Sequence, residues 1–307
     1  RDRLRSRGLG DVYKRQVDTL APAAPTLTAI SDNVGPIQTP ITTSGQVTDD
    51  ALPGLTGTAE ANATVVIYDN GAQVATVQAT ETGEWSWTPT TALSNGSHTF
   101  TTSAIDAAGN LSETSPGFTL IVDTLKPTAP VIALAIDDVD PVTGALTSGR
   151  TTNDQQPVLT GTSEPNARVQ IFNGETLIGE GIANANGSWS IEVNTQLSDD
   201  VYSFTAVAID AAGNISDPSA PFTLTIDTQL PDAPVLVSVT DDVGEPVDLT
   251  SGQLTNDARP TLSGTAEAGS TVNIYDGTTL LGSATVGANN AWSFTPTTPL
   301  ADGEHTR

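Results

Sequence analysis

A repeat of about 104 residues governs this 307-residue chain. Val17-Asp18-Thr19 returns as Val122-Asp123-Thr124, 105 residues on, and as Ile226-Asp227-Thr228, a further 104 residues on. Gly57-Thr58-Ala59-Glu60, Gly161-Thr162-Ser163-Glu164 and Gly264-Thr265-Ala266-Glu267 keep the same phase, as do Trp85, Trp189 and Trp292. AIDAAGN stands at 104–110 and again at 208–214, and the third copy reaches Arg307 where that stretch is due. The period is longer than the roughly 20–50 residues of solenoid units, so each copy is expected to bury its own core as an independent domain. The expected division is a non-native or disordered segment at 1–16, repeat 1 at 17–121, repeat 2 at 122–225 and a truncated repeat 3 at 226–307.

Inside a copy the signals are those of strands. Thr64-Val65-Val66-Ile67-Tyr68, then Asp69-Asn70-Gly71, then Ala75-Thr76-Val77 reads as a hairpin closed by a type I′ turn. Ser188 to Val193 alternates with period two and puts Trp189, Ile191 and Val193 on one face. Nothing follows a 3.6-residue apolar period, and Gly, Pro, Asn, Asp and Thr punctuate the sequence throughout. The fold class is all-β: tandem immunoglobulin-like sandwiches of about seven strands, head to tail. In repeat 2 the strands are expected near 130–136 (A), 157–163 (B), 167–173 (C), 176–183 (C′), 188–193 (E), 201–210 (F) and 221–227 (G). Alternating strand direction then places the B–C and F–G loops at the leading end of each domain and the A–B and E–F loops at the trailing end. The three Trp residues are expected in the core, each contributing roughly 2–3 kcal/mol or more on burial.

Composition narrows the function. With 36 Asp plus Glu against 11 Lys plus Arg, the net charge of −25 argues against a nucleic-acid partner. The absence of Cys removes disulfides, thiolate metal sites and Cys nucleophiles. No run is long and apolar enough to insert in a membrane, and no signal-peptide pattern is present, so any export signal is expected outside this stretch. With no Met, the chain is expected to be an internal fragment. Six basic residues (Arg1, Arg3, Arg5, Arg7, Lys14, Arg15) crowd the start, which shares neither composition nor pattern with residues 17–307 and reads as adapter or cloning sequence. The rest of the chain holds 34 acidic groups against five basic ones.

Many carboxylates recur in phase. At the leading ends these are Asp18, Glu60, Asp106 and Asn110 in repeat 1, Asp123, Glu164, Asp210 and Asn214 in repeat 2, and Asp227 and Glu267 in repeat 3. The long A–B connections at the trailing ends hold Asp32 and Asp50, then Asp137, Asp138 and Asp154, then Asp241, Asp242 and Asp257. The trailing end of one copy is expected to face the leading end of the next. Oxygen ligands gathered with almost no Lys or Arg repel one another unless a cation sits between them, and six to eight oxygens describe Ca²⁺ better than Zn²⁺, Cu²⁺ or Mg²⁺. The competing reading is that Asp and Asn are turn formers. That reading takes Asp69, Asn70 and Asp276, which sit in hairpin turns. No contiguous calcium loop is present, so the expected site is a constellation.

The series VDTLAP, SDNVG, PGLTGTAEANATVVIYDNG, GEWSWTPTTAL and SHTFTTSAIDAAGN resembles the bacterial immunoglobulin-like repeats of very large secreted, biofilm-associated and type 1-secreted adhesins, over residues 17–307. Phe172-Asn173-Gly174 departs from the Tyr-Asp of the other copies, which touches only the turn. The resemblance implies an extracellular stalk or spacer on a bacterial cell surface, serving cell adhesion and biofilm formation. It implies interdomain Ca²⁺ in which Asp123, Asp210 and Asn214 take part. Neighbouring repeats are the expected partners, and any host or matrix ligand is expected to bind elsewhere in the full-length protein.

No enzyme is expected. His98 and His305 share one repeat position, which Tyr202 fills in repeat 2, so a catalytic His would be missing from the middle copy. Repeated surface carboxylates also lack the asymmetry that glycosidase chemistry needs. Two alternatives stand beside the spacer. One is that the modules themselves bind a glycan or host protein across flexible linkers. The other is that the acidity suits high salt.

Overall fold

The computed structural model describes residues 17–306, and the reading of residues 1–16 as foreign lies outside them. Repeat 1 contains β1 (Thr26–Ser31), β2 (Gln46–Thr48), β3 (Gly54–Thr58), β4 (Thr64–Asp69), β5 (Ala72–Gln78), β6 (Glu84–Trp87), β7 (Gly96–Ile105) and β8 (Phe118–Val122). Repeat 2 contains β9 (Val131–Asp137), β10 (Gly144–Leu146), β11 (Arg150–Thr152), β12 (Val158–Thr162), β13 (Arg168–Asn173), β14 (Thr176–Ile182), β15 (Ser188–Glu192), β16 (Asp200–Ile209) and β17 (Phe222–Ile226). Repeat 3 contains β18 (Val235–Asp241), β19 (Val247–Leu249), β20 (Thr261–Thr265), β21 (Thr271–Asp276), β22 (Thr279–Thr285) and β23 (Ala291–Phe294). Among the described residues there is no helix long and apolar enough to cross a membrane.

Each of the first two repeats is a two-sheet sandwich. Repeat 1 pairs β1-β3-β6 in one sheet and β2-β8-β7-β4-β5 in the other; repeat 2 pairs β10-β9-β12-β15 and β11-β17-β16-β13-β14. All seven strands expected in repeat 2 are present. The expectation missed β10 and β11, and their counterparts β2 and β19, all in the A–B connection. Three residues are too few to show a period, and these strands are held by pairing alone. β2 and β11 run parallel to the last strand of their repeat, with Gln46 opposite Leu120 and Arg150 opposite Leu224. The chain therefore crosses from one sheet to the other inside the A–B connection, which delivers Thr48 and Thr152 to the trailing end.

The alternation in β15 holds: Trp189, Ile191 and the adjoining Val193 are buried among Leu159, Ile171 and Phe204. Trp85 and Trp292 take the same place in the other two cores, which excludes all three rings from stacking on a ligand at the surface. Trp87 is half-buried and meets Phe100 edge to face at 6.5 Å. Each Trp lies over a glycine on the adjacent strand. A Cβ on Gly57, Gly161 or Gly264 would overlap both the indole and a backbone carbonyl of the first strand. The Gly that opens the repeated GTAE motif is thus a packing requirement.

The hairpin turns follow their residues. Asn70 and Gly71 both have positive φ, the type I′ signature, whereas Gly174 and Gly277 open turns with positive φ at the first position only, as in type II′. The departure at Phe172-Asn173-Gly174 changes the turn type, and it also replaces the Asp that in the other copies pairs with a His, so its effect reaches beyond the turn.

Candidate functional site

One network recurs at the trailing end of every repeat. The Thr48 hydroxyl donates to Asp32 Oδ2 at 2.8 Å and accepts the Asp50 N–H at 3.0 Å. Thr152 does the same between Asp137, at 2.6 Å, and Asp154, at 3.0 Å. Thr255 bridges Asp241 and Asp257 at 2.7 and 2.9 Å. Each carboxylate also accepts a backbone N–H two residues ahead, so Asp32 caps Val34, Asp50 caps Leu52 and Asp154 caps Gln156. The turn-forming role is therefore real, yet it takes place under burial: Asp32, Asp50, Asp137, Asp154 and Asp257 are all buried. Burial pushes the Asp154 carboxyl above its ordinary range; the Gln156 N–H opposes this, and the charges of Asp138 and Asp137 reinforce it.

Asp49 stands out from this pattern and escaped the sequence reading. It is 7% exposed, and its Oδ1 has no hydrogen-bond partner. Its Oδ2 lies against Gly35 of its own repeat and beside Gly213 in the F–G loop of repeat 2. Burial, then the neighbouring Asp32 charge, raises its pKa, with Asp210 of repeat 2 and Asp50 adding to the effect. A carboxyl whose folded pKa is raised stabilises the fold while protonated and loses that contribution as pH rises through the folded value. Near neutral pH an ionised Asp49 therefore weighs against the folded junction unless a cation answers it.

A signal for Asp49 was present in the aligned copies. Its counterparts are Asn153 and Asn256, whereas the position after the first loop Asp is Asn33 in repeat 1 and Asp138 and Asp242 in the others. The two positions exchange Asp for Asn together. Across these four aligned positions each copy thereby keeps three carboxylates: Asp32, Asp49 and Asp50; Asp137, Asp138 and Asp154; Asp241, Asp242 and Asp257.

The leading end of repeat 2 is organised by Asp210, whose Oδ1 accepts the N–H groups of Ala212, Gly213 and Asn214 at 2.8–2.9 Å. The Asn214 amide donates to Asp210 Oδ2 at 2.9 Å and to the Asp123 carbonyl at 2.8 Å. Asp123 in turn donates its N–H to the Thr48 carbonyl at 2.9 Å. The second sandwich is thus tied through the linker to the first. In repeat 1 Asn110 bridges Asp106 and the Asp18 carbonyl in the same way. The Asn110 amide, with the N–H groups of Asn110, Ala108 and Gly109, holds Asp106 below the ordinary carboxylate range. Asp227 repeats the linker contact, its N–H donating to the Thr152 carbonyl at 2.9 Å.

The first junction therefore brings together Asp32, Asp49, Asp50, Asp123, Asp210 and Asn214. Glu60, Glu164 and Glu267 behave differently. Their carbonyls close the next turn, accepting the N–H of Ala63, Ala167 and Ser270, while their exposed carboxylates have no hydrogen-bond partner among the described residues. Among the described residues no group of three or more His, Asp or Glu is arranged to hold a metal. The fit to a cation rests instead on the orphaned, buried Asp49 Oδ1 and on an all-oxygen surrounding, in which Asn214 Oδ1 also accepts no hydrogen bond from a described residue.

Largely antiparallel sandwiches repeated along the chain, each with a Trp stacked on a Gly and joined through an Asp-Thr linker, define a class of immunoglobulin-like tandem modules. Residues 27–124, 127–228 and 233–307 match the bacterial Ig-like domain family, and the chain belongs to it. No curated protein sequence matches this chain. Among solved structures, it is similar to fibronectin(III)-like modules of CbhA from Clostridium thermocellum, with 15% identity over 60% of this chain and 90% of that one and a TM-score of 0.38. It is also similar to a 1.5-MDa bacterial ice-binding adhesin, with 18% identity over 90% and 87% and a TM-score of 0.32. A tetra-tandem repeat in the extending region of a large adhesion protein gives 21% identity over 93% and 87%, with a TM-score of 0.26. The fold rests on the strand pairing and the family on the matched residues.

Proposed function

We propose that this chain is a spacer segment of a large bacterial surface adhesin, working outside the cell, in which Ca²⁺ at the junctions between repeats restrains bending. The observation that carries the reading is Asp49: a buried carboxylate oxygen without a partner, placed by repeat 1 against the F–G loop of repeat 2. Asp32, Asp50, Asp123, Asp210 and the Asn214 side-chain oxygen would supply the rest of the ligand set, completed by backbone or water oxygens, which suits a cation that takes six to eight oxygens. The bound ion would supply the positive charge that this end of the repeat lacks. The joint exchange of Asp and Asn between copies, which holds the four aligned positions at three carboxylates in each, supports a requirement for charge rather than for a turn.

The adhesin setting is proposed from family membership and from the sequence resemblance in GTAE, the Trp strand and AIDAAGN. A spacing role also suits the parallel pairing of β2 with β8 and of β11 with β17, because a pull along the chain shears these pairs rather than unzipping them. The chain is proposed to act without catalysis, with neighbouring repeats as its partners and any adhesive ligand bound elsewhere.

Calcium titration of the EDTA-treated chain by calorimetry, alongside melting in millimolar CaCl₂ and in molar NaCl, tests this reading. Saturable calcium binding with a rise in Tm that NaCl does not reproduce is expected. Equal stabilisation by both salts without saturable binding would assign the acidity to salt adaptation instead.

A further inference from the structure

His98 is one of two histidines in the chain, and at the start of β7 it is 6% exposed. Its Nδ1 lies 2.6 Å from Asp69 Oδ2 and its Nε2 lies 2.8 Å from the Ser94 carbonyl oxygen. An ionised carboxylate and a carbonyl only accept, so both contacts are hydrogen bonds only when both ring nitrogens carry hydrogen, as in the imidazolium. The other oxygen of Asp69 is buried and has no partner, which leaves His98 as the group that answers its charge. This corrects the reading of Asp69 and Asp276 as turn residues alone.

The surroundings of His98 are simple. β4 contributes Asp69, β8 sets Leu120 opposite, the preceding loop offers the Ser94 carbonyl, and Phe100 stacks on the ring at 6.3 Å. Among the described residues Asp69 is the one titratable group facing the imidazole. Burial works against the charged ring, but the hydrogen bonds to Asp69 and Ser94 and the Asp69 charge outweigh it and raise the pKa above 6.5.

Repeat 3 has the same two ring contacts, with His305 Nδ1 2.7 Å from Asp276 Oδ2 and Nε2 2.8 Å from the Ala301 carbonyl, but in a more open setting: His305 is exposed and Asp276 Oδ1 accepts the Thr306 N–H at 3.1 Å. Repeat 2 keeps the tether and changes its chemistry. The Tyr202 hydroxyl donates to the Ser198 carbonyl at 3.0 Å, in the manner of a tyrosine corner, and stacks on Phe204 at 6.0 Å, while Asn173 stands where the other copies have Asp.

We infer that the first and third repeats carry a protonation-dependent clasp, His98 with Asp69 and His305 with Asp276, which the second repeat replaces with the proton-independent Tyr202, so that alkalinisation loosens alternate modules. The raised pKa fixes the sign. Stability from the clasp is complete below 6.5 and is lost as pH rises through the folded-state value, when the ring gives up a proton and one of its two acceptors is left without a donor. The Tyr202 clasp uses a neutral hydroxyl donor and needs no imidazolium.

Hydrogen exchange on the intact chain, corrected for intrinsic rate and compared at about pH 6 and about pH 8.5, reads the effect by strand. The opening constant of β7 is expected to rise several-fold, to a limit of about tenfold for each unit by which the folded pKa exceeds the unfolded one, while that of β16 stays level. The double variant Asp69→Asn, His98→Tyr is expected to abolish the rise. Equal responses in β7 and β16 would overturn the proposal. So would a His98 ring signal titrating at or below 6.5 by NMR, and that measurement on the unmodified chain decides the matter even if the double variant does not fold.

Discussion

The side-chain amide of Asn214 donates to the backbone carbonyl of Asp123 at 2.8 Å, joining the F–G loop of the second repeat to the linker that leaves the first. Because Asp123 is itself bonded to the Thr48 carbonyl, one amide connects two sandwiches through three residues. Asn214→Ala removes that connection and also a donor to Asp210, at a cost of about 1–3 kcal/mol. The chain has no Cys, so paired spin labels on cysteines introduced at exposed Val74 and Ile182 report on the junction alone. The distance distribution between them is expected to broaden in the variant.

Gly161 is fixed by Trp189. A Cβ there overlaps the indole and the Val131 carbonyl at once, and neither is free to move, the first being core and the second part of β9. Gly161→Ala is expected to destabilise repeat 2 by about 1–3 kcal/mol, read as a lower urea midpoint with an unchanged m-value. Gly174→Ala, at a site with open space around it, isolates the smaller cost of positive φ.

The sequence carried most of this architecture. Period-two alternation and turn residues mark β12 to β17 because those strands are long enough to show a pattern and have one buried face. β2 and β11 have three residues each and are defined by what they pair with, which no local pattern records. The acidic ends were legible as recurring Asp and Asn at fixed phase, and the bonds of Thr48, Asp123 and Asn214 connect Asp32, Asp50, Asp123 and Asp210 at the first junction, while Glu164, also expected there, stands apart. Asp49 is not marked by recurrence, because Asn153 and Asn256 hold its place in the other copies. The partnership of His98 with Asp69 was missed for a related reason: 29 residues separate them, and a turn role already accounted for Asp69.

Asp49→Asn separates charge from shape at the junction. In EDTA the variant is expected to melt higher than the parent, since it removes a buried carboxylate whose ionisation is opposed by burial and by Asp32. In CaCl₂ the order is expected to reverse, because the variant gives up a ligand. A melting temperature that shifts equally in both buffers would detach Asp49 from calcium.

Small-angle X-ray scattering of the chain in CaCl₂ and then in EDTA tests the spacer account most directly. The account predicts a larger maximum dimension and a narrower distribution of interatomic distances with calcium, and a shorter, broader one after chelation. Identical curves in the two buffers, with no calcium retained by the protein, would contradict it.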